Sequence, residues 1–416
     1  MSGPFSGRGS DQIWLQAREQ NDMSKLSKDE IGKLAPATRI VANGRNPDES
    51  FGFVSTPPYR GSTVLYPDAD ACLSHRNRYT YGRRGNPTME ALTSLWSELE
   101  GAAGTVVCPS GASACAVALL SVLGAGDHLL VTDSVYRPTR DFCDRVLARY
   151  GVTTTYFDPQ IGAGISALFQ PNTKAVFTES PGSLTFEMQD IPAIAAAAKA
   201  HGAVTLMDNT WATPLCFRPL DHGVDISINA ATKYPSGHSD LLAGLVAANA
   251  DTFPRVLKTH GDFGIYLGPD DVFLLLRGLR TMPLRLKEQA ASALAIAEWL
   301  EKRPDVVSVA HPALPSHPGH ALFKRDFSGA SSLFGLTVKQ MTRAQTVAFL
   351  DNAKLFGMGY SWGGFESLII PVDATEFRTA VPFAPGGSAF RLQIGLEDTT
   401  DLITSLEAAF AAAAAA

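Results

Sequence analysis

No apolar run in this 416-residue chain approaches the ~18 residues that a bilayer span takes, and the N-terminus lacks a basic-then-apolar signal pattern, so a soluble, cytoplasmic protein is expected. Long basic runs are missing too. With 35 Lys and Arg against 41 Asp and Glu, the formal charge is −6, which argues against nucleic acid and anionic membrane as partners. The five cysteines, Cys72, Cys108, Cys115, Cys143 and Cys216, are odd in number and show no Cys-x-x-Cys spacing; reduced, buried thiols are expected rather than disulfides or zinc ligands. No Gly-x-Gly-x-x-Gly follows an early strand pattern, which counts against a dinucleotide-binding dehydrogenase. What is present is ordinary globular composition, 45% hydrophobic and 18% charged, in a chain long enough for two or three domains at roughly 150 residues each.

Residues 1 to about 60 mix Gly, Ser, Asp and Pro, with short helical candidates near Asp11–Gln20 and Ser27–Leu34. They read as a frayed tail or as an arm that docks on another subunit. The stretch Arg76–Thr88 is dense in Arg, Tyr and Gly, residue types that either solvate a turn or bind phosphate, since the guanidinium fork suits bidentate contact. From Pro87, apolar residues at three- and four-residue steps predict an amphipathic helix ending at Gly101. A short strand through Cys108, a small-residue turn at Ser110-Gly111-Ala112 and an apolar helix follow. That sequence of elements makes an anion site, because the free N–H groups of a helix start point outward and glycine permits close approach.

Strands and helices then alternate. Strand patterns end at Asp133, Phe157, Glu179 and Asp208, and another precedes Ala230-Ala231-Thr232-Lys233-Tyr234. Repeated units of this length predict a mostly parallel sheet covered by helices on both faces. Ligands bind at the C-terminal strand ends of such sheets, where Lys233 can form an imine with a carbonyl and Asp208 can hold a protonated ring nitrogen. The bland alternatives are a solvated loop lysine and a helix-capping aspartate. His238 and Asp240 lie close together, but two ligands in one loop do not make a metal site. A helical region from roughly Asp271 to Glu301, broken at Pro283, leads to strand candidates around Val306–Val309, Ser332–Leu336 and Phe390–Ile394. These predict an α+β C-terminal domain, with a last helix that frays through its alanine tail.

Taken in order, Tyr81-x-Arg83, Ser110-Gly111-Ala112, Tyr136, Glu179-Ser180-Pro181, Asp208-Asn209-Thr210, Ala231-Thr232-Lys233-Tyr234 and Arg391 resemble the Cys/Met-metabolism family of fold-type I pyridoxal phosphate (PLP) enzymes. The likeness covers roughly residues 50–410 and is greatest to the cystathionine β-lyase branch. Three features favour that branch: the aromatic stretch Tyr360-Ser361-Trp362-Gly363-Gly364, the Glu179–Ser183 segment without the Asn common in relatives, and Pro138 where methionine γ-lyases carry a cysteine.

The resemblance implies an α/β chain with an N-terminal segment (1–85) that contributes to a neighbouring subunit, a PLP-binding large domain (86–279) and a smaller α+β domain (280–416). It implies Lys233 as imine-forming lysine and proton carrier, Asp208 on the pyridinium nitrogen and Tyr136 stacked on the ring. Gly111, Ala112 and Thr232 would hold the phosphate, with Tyr81 and Arg83 from the adjacent subunit. Arg391 would take the substrate carboxylate, with Ser361, Trp362 and Tyr81 around the substrate. One departure is Ala230, where many relatives place a phosphate-binding serine, so Thr232 is expected to carry more of the load. The implied activity is elimination on a small sulfur amino acid in a homotetramer with shared sites. Desulfhydrase, γ-lyase, γ-synthase and a non-catalytic PLP-binding regulator remain alternatives.

Overall fold

A computed structural model describes residues 27–416. The helix expected at Asp11–Gln20 lies outside them. Ser27 caps a short helix, Lys28–Gly32, through a reciprocal bond with Glu30, close to the second expectation for this arm.

The helix Pro87–Glu100 shows how local chemistry sets the frame. The Asn86 side chain accepts from the Met89 N–H, Pro87 needs no donor in the first turn, and Gly101 ends the helix in the left-handed region at φ 67°. Leu92, Leu95, Trp96 and Leu99 are buried against the sheet and neighbouring helices, as their spacing predicts.

Seven strands form the large sheet: β1 (Gly104–Cys108), β2 (His128–Thr132), β3 (Thr153–Phe157), β4 (Thr173–Glu179), β5 (Val204–Asp208), β6 (Ile226–Asn229) and β7 (Gly244–Ala248). Their order is β1-β7-β6-β5-β4-β2-β3. Only β7 runs antiparallel to its neighbours, β1 and β6. The central strands are buried throughout because helices cover both faces, which is why they read as continuous apolar runs.

A second, antiparallel sheet follows, β8 (Val306–Ala310), β9 (Leu333–Val338), β10 (Leu368–Pro371) and β11 (Ser388–Gln393), ordered β10-β11-β9-β8. The predicted α/β class with a smaller C-terminal α+β unit is what folds. The helical break falls at Arg280-Thr281, between helices Pro269–Leu279 and Met282–Glu301; Pro283 sits in the first turn of the second, where proline is tolerated.

The alanine tail extends the last helix, Thr399–Ala415, as expected, but it is packed rather than frayed from Ala408, because Ala409, Phe410 and Ala413 are buried in the core of the small sheet. No described helix is long and apolar enough to cross a membrane.

Candidate active site

Glu179 and Asp208 are register partners at the ends of β4 and β5, so their carboxyls leave the sheet side by side on one face. One strand further, β6 ends at Asn229, and the chain enters the loop that carries Lys233 before returning as β7. That loop is closed at its base: Thr232 Oγ1 donates to the Ala243 carbonyl (3.1 Å) and accepts from the Ala243 N–H (3.0 Å). Thr210 links it to Asp208, accepting from the Ala230 N–H (2.9 Å) while its own N–H and hydroxyl donate to Asp208 Oδ1.

Asp208 is buried, and burial pushes its pKa up against the opposing pull of the Thr210 bonds, Cys115 and Lys233. Both Thr210 bonds fall on Oδ1; Oδ2 has the Cys115 thiol at 3.9 Å. Lys233 Nζ donates to Ser361 Oγ (3.0 Å) and lies 5.3 Å from the centre of the Trp362 ring. Burial, with the nearby Arg391 charge, lowers its pKa to about 8 even though Asp208 pulls the other way.

Arg391 sits on β11, 7% exposed, and donates from Nη2 to the Ser361 carbonyl (3.1 Å). Its Nε is buried with no hydrogen-bond partner, and burial brings the guanidinium down to about 10. Gly363, at φ 80°, lets the Ser361-Trp362 loop lie flat on the lysine: a Cβ there would stand 3.0 Å from the Lys233 carbonyl carbon and 2.9 Å from the Tyr234 N. Trp362 packs at a tilt on Tyr234, ring centres 5.5 Å apart.

On the other side, Gly111 and Ala112 open the helix Gly111–Leu120, whose Ser110 cap takes only the Ser113 N–H. A Cβ on Gly111 would meet that of Ala230 at 2.5 Å, so glycine is what allows this helix start to rest against the lysine loop. Tyr136 is 44% exposed, and its backbone N–H donates to Glu179 Oε2 (2.7 Å).

Lys233, Asp208, Ser361, Trp362 and Arg391 thus form one cluster, with Tyr136, Gly111 and Ala112 on its flank. Thr232 is adjacent, but its hydroxyl is engaged with Ala243. Tyr81 and Arg83 stand apart within the chain: Arg83 Nη1 donates to the Gly261 carbonyl (2.9 Å) and Tyr81 is 47% exposed. Sequence reasoning placed Glu179 at a strand end and in the family motif, and Cys115 among the buried, reduced thiols, without putting either beside Asp208; their spacing carries no signal, and only the register of β4 and β5 and the seat of helix Gly111–Leu120 against β5 bring them in. A cavity of about 460 Å³ lies elsewhere, lined by Glu187, Glu301, Ser308 and His317, and includes no member of the lysine cluster.

Known proteins resemble this chain over most of its length. The chain is 43% identical over 385 residues to the cystathionine beta-lyase MetC of Escherichia coli (strain K12), covering 90% of this chain and 98% of that one. It is 38% identical over 388 residues to the L-alanine/L-glutamate racemase of Wolbachia pipientis wMel, covering 89% and 96%. The crystal structure of cystathionine gamma synthase from Xanthomonas oryzae pv. oryzae superposes with a TM-score of 0.85 at 32% identity, over 92% of this chain and 99% of that one. Residues 37–411 match the family described as Cys/Met metabolism PLP-dependent enzyme, and the chain belongs to that family.

Proposed function

We propose that the chain is a PLP-dependent carbon–sulfur β-lyase that converts L-cystathionine to homocysteine, pyruvate and ammonia. The observation that carries this is the incomplete charge pairing around Lys233. Asp208 has an oxygen served only by a thiol, Arg391 has an unpartnered Nε, and Lys233 lies between them with a depressed pKa. Those donors fit PLP and an amino acid together: Asp208 would take the ring N–H, the Gly111 and Ala112 amides the phosphate, Tyr136 the ring face and Lys233 the aldehyde. Thr232 would add its hydroxyl only by releasing Ala243. When bound, PLP supplies an electron sink for charge developing at the substrate Cα.

The chain's own residues do the rest. Arg391 would pair the α-carboxylate through a charge-assisted fork and so turn the Cα–H bond toward Lys233. Lys233 Nζ, whose lowered pKa of about 8 leaves a substantial neutral fraction near that pH, takes that proton, and the Cβ–S bond breaks with its electron pair leaving on sulfur. The departing thiolate takes up a proton, and water completes release of pyruvate and ammonia. Ser361 and Trp362 wall this space and shield the lysine from solvent.

In the same reading, the enzyme is a cytoplasmic homotetramer, a dimer of dimers. Segment 1–85 reaches the adjacent subunit's 86–279 domain, 280–416 carries Arg391, and Tyr81 and Arg83 complete the phosphate site of the neighbour. Their separation from Lys233 within one chain supports this.

Incubating the purified protein and PLP with L-cystathionine tests the activity. Pyruvate plus homocysteine is expected; 2-oxobutyrate plus cysteine would move the reaction to γ-elimination, and loss of optical activity in alanine or glutamate without elimination would make it a racemase. For shared sites, mixing Arg83→Ala with Lys233→Ala subunits should restore activity above either parent.

A further inference from the structure

Glu179 has no place in the chemistry above, yet it ends β4 directly beside Asp208. Neighbouring strands lie about 4.8 Å apart, so two carboxylates on one face of adjacent strand ends repel strongly in a partly desolvated site. Asp208 has Thr210 and Lys233 to hold its charge. Glu179 has the Tyr136 amide, while burial and Asp208 push its pKa well above the usual carboxyl range.

Its Oε2 accepts from the Tyr136 N–H at 2.7 Å. The chain just beyond it is fastened to the same segment. The Ser183 N–H donates to the Ser134 carbonyl (2.8 Å), and Gly182 lies so close to Ser134 that a Cβ on it would stand 2.5 Å from the serine Cβ. The strand end after β4 therefore grips residues 134–136 at their backbone, whereas Tyr136 as a whole is 44% exposed. A residue so little enclosed is aimed by its backbone anchor.

We infer that Glu179 is a positioning residue: as the hydrogen-bond acceptor on the Tyr136 amide, it sets the height and tilt at which the Tyr136 ring meets a bound pyridine ring. The inference rests on the PLP reading above and assigns Glu179 no contact with the reacting atoms. An acceptor oxygen can be kept while the carboxyl is replaced by an amide, and the separation of acceptor from charge is what makes it testable.

Apo-protein is titrated with PLP, following affinity and the visible circular dichroism of the bound cofactor, with melting temperature as a fold control. Glu179→Gln keeps the acceptor oxygen and is expected to bind PLP within about twofold of wild type with an unchanged dichroic band; Glu179→Leu is expected to bind roughly tenfold more weakly with a diminished band. In a Tyr136→Ala background the same Glu179→Leu change is expected to cost little further affinity, because its effect passes through the ring.

Wild-type behaviour of Glu179→Leu, a loss in Glu179→Gln as large as in Glu179→Leu, or an undiminished cost in the Tyr136→Ala background would each overturn the inference. Should Glu179→Leu not fold, Glu179→Asp, which withdraws the acceptor by one methylene, is read in its place: weaker PLP binding supports the inference and wild-type binding overturns it. Failure of wild type to release pyruvate from cystathionine while it binds PLP would overturn the substrate reading alone; a wild type that binds no PLP overturns both.

Discussion

Two buried aspartates at strand ends of the same sheet have opposite fates. Asp133, just after β2, is fully enclosed: Arg140 and Arg378 each approach to 3.0 Å, and the N–H groups of Thr379, Ala380 and Val381 all donate to it. Burial alone would raise its pKa, but those amides and guanidinium groups outweigh it and hold the carboxyl down to about 2. Asp208, at the end of β5, has its pKa raised because its own bonds do not offset burial. The completed cluster clamps the small unit's 378–381 segment to the large sheet. The incomplete one is where the proposed cofactor's ring N–H would add the missing partner.

The contrast predicts which substitutions damage chemistry and which damage the fold. Removing the proton carrier has the largest effect: Lys233→Ala should lower pyruvate release by about 10²–10⁴-fold with an unchanged melting temperature. A variant keeping a tenth of wild-type turnover would break the comparison. Asp133→Asn should act the other way. By leaving two buried guanidinium groups short of their anion, it should cost about 3–5 kcal/mol in urea unfolding, while the folded fraction keeps kcat within a few-fold.

Arg391→Ala should raise KM for cystathionine by about 10–100-fold, corresponding to a charge-assisted bond of about 1.5–3 kcal/mol. Acid sharpens the Asp133 side. Its pKa is depressed on folding, so its contribution of about 2 kcal/mol is complete above the unfolded value near 3.8 and is lost as pH falls through the folded value near 2. Unfolding free energies between pH 5 and 2 should fall more steeply for wild type than for Asp133→Asn. Asp208 has the opposite sign: ionising it costs the fold something as pH rises above 3.8, so Asp208→Asn should melt no lower than wild type at neutral pH, although its turnover collapses.

The legible part of this molecule is what the chain writes locally. β-Branched runs marked the strands of the large sheet, three- and four-residue spacing marked Pro87–Glu100, and Asp208 stands at a strand end, Arg391 on a strand and Lys233 in the loop that follows β6. β10 was passed over because it is four residues long and ends in proline. The reversed direction of β7 has no sequence signature, since buried parallel and antiparallel strands share the same apolar run. Partners far apart in the chain were invisible as well: Arg378 meets Asp133 across 245 positions, and the Thr232 hydroxyl is taken by Ala243, which tempers its expected phosphate role. The alanine tail lacked polar punctuation and read as loose, yet small side chains are what let Ala409 and Ala413 lie against the second sheet.

The paired hydrogen bonds between Thr232 and Ala243 also work as a knot tied at the neck of the lysine loop. Lys233 is the first residue inside that knot, and the turn after it is tied back: the Gly237 N–H donates to the Lys233 carbonyl (2.8 Å) and Ser236 Oγ donates to the Thr232 carbonyl (2.8 Å). A change of length in the exposed stretch 238–240 leaves this turn closed, whereas one between Lys233 and Gly237 opens it and moves the amine.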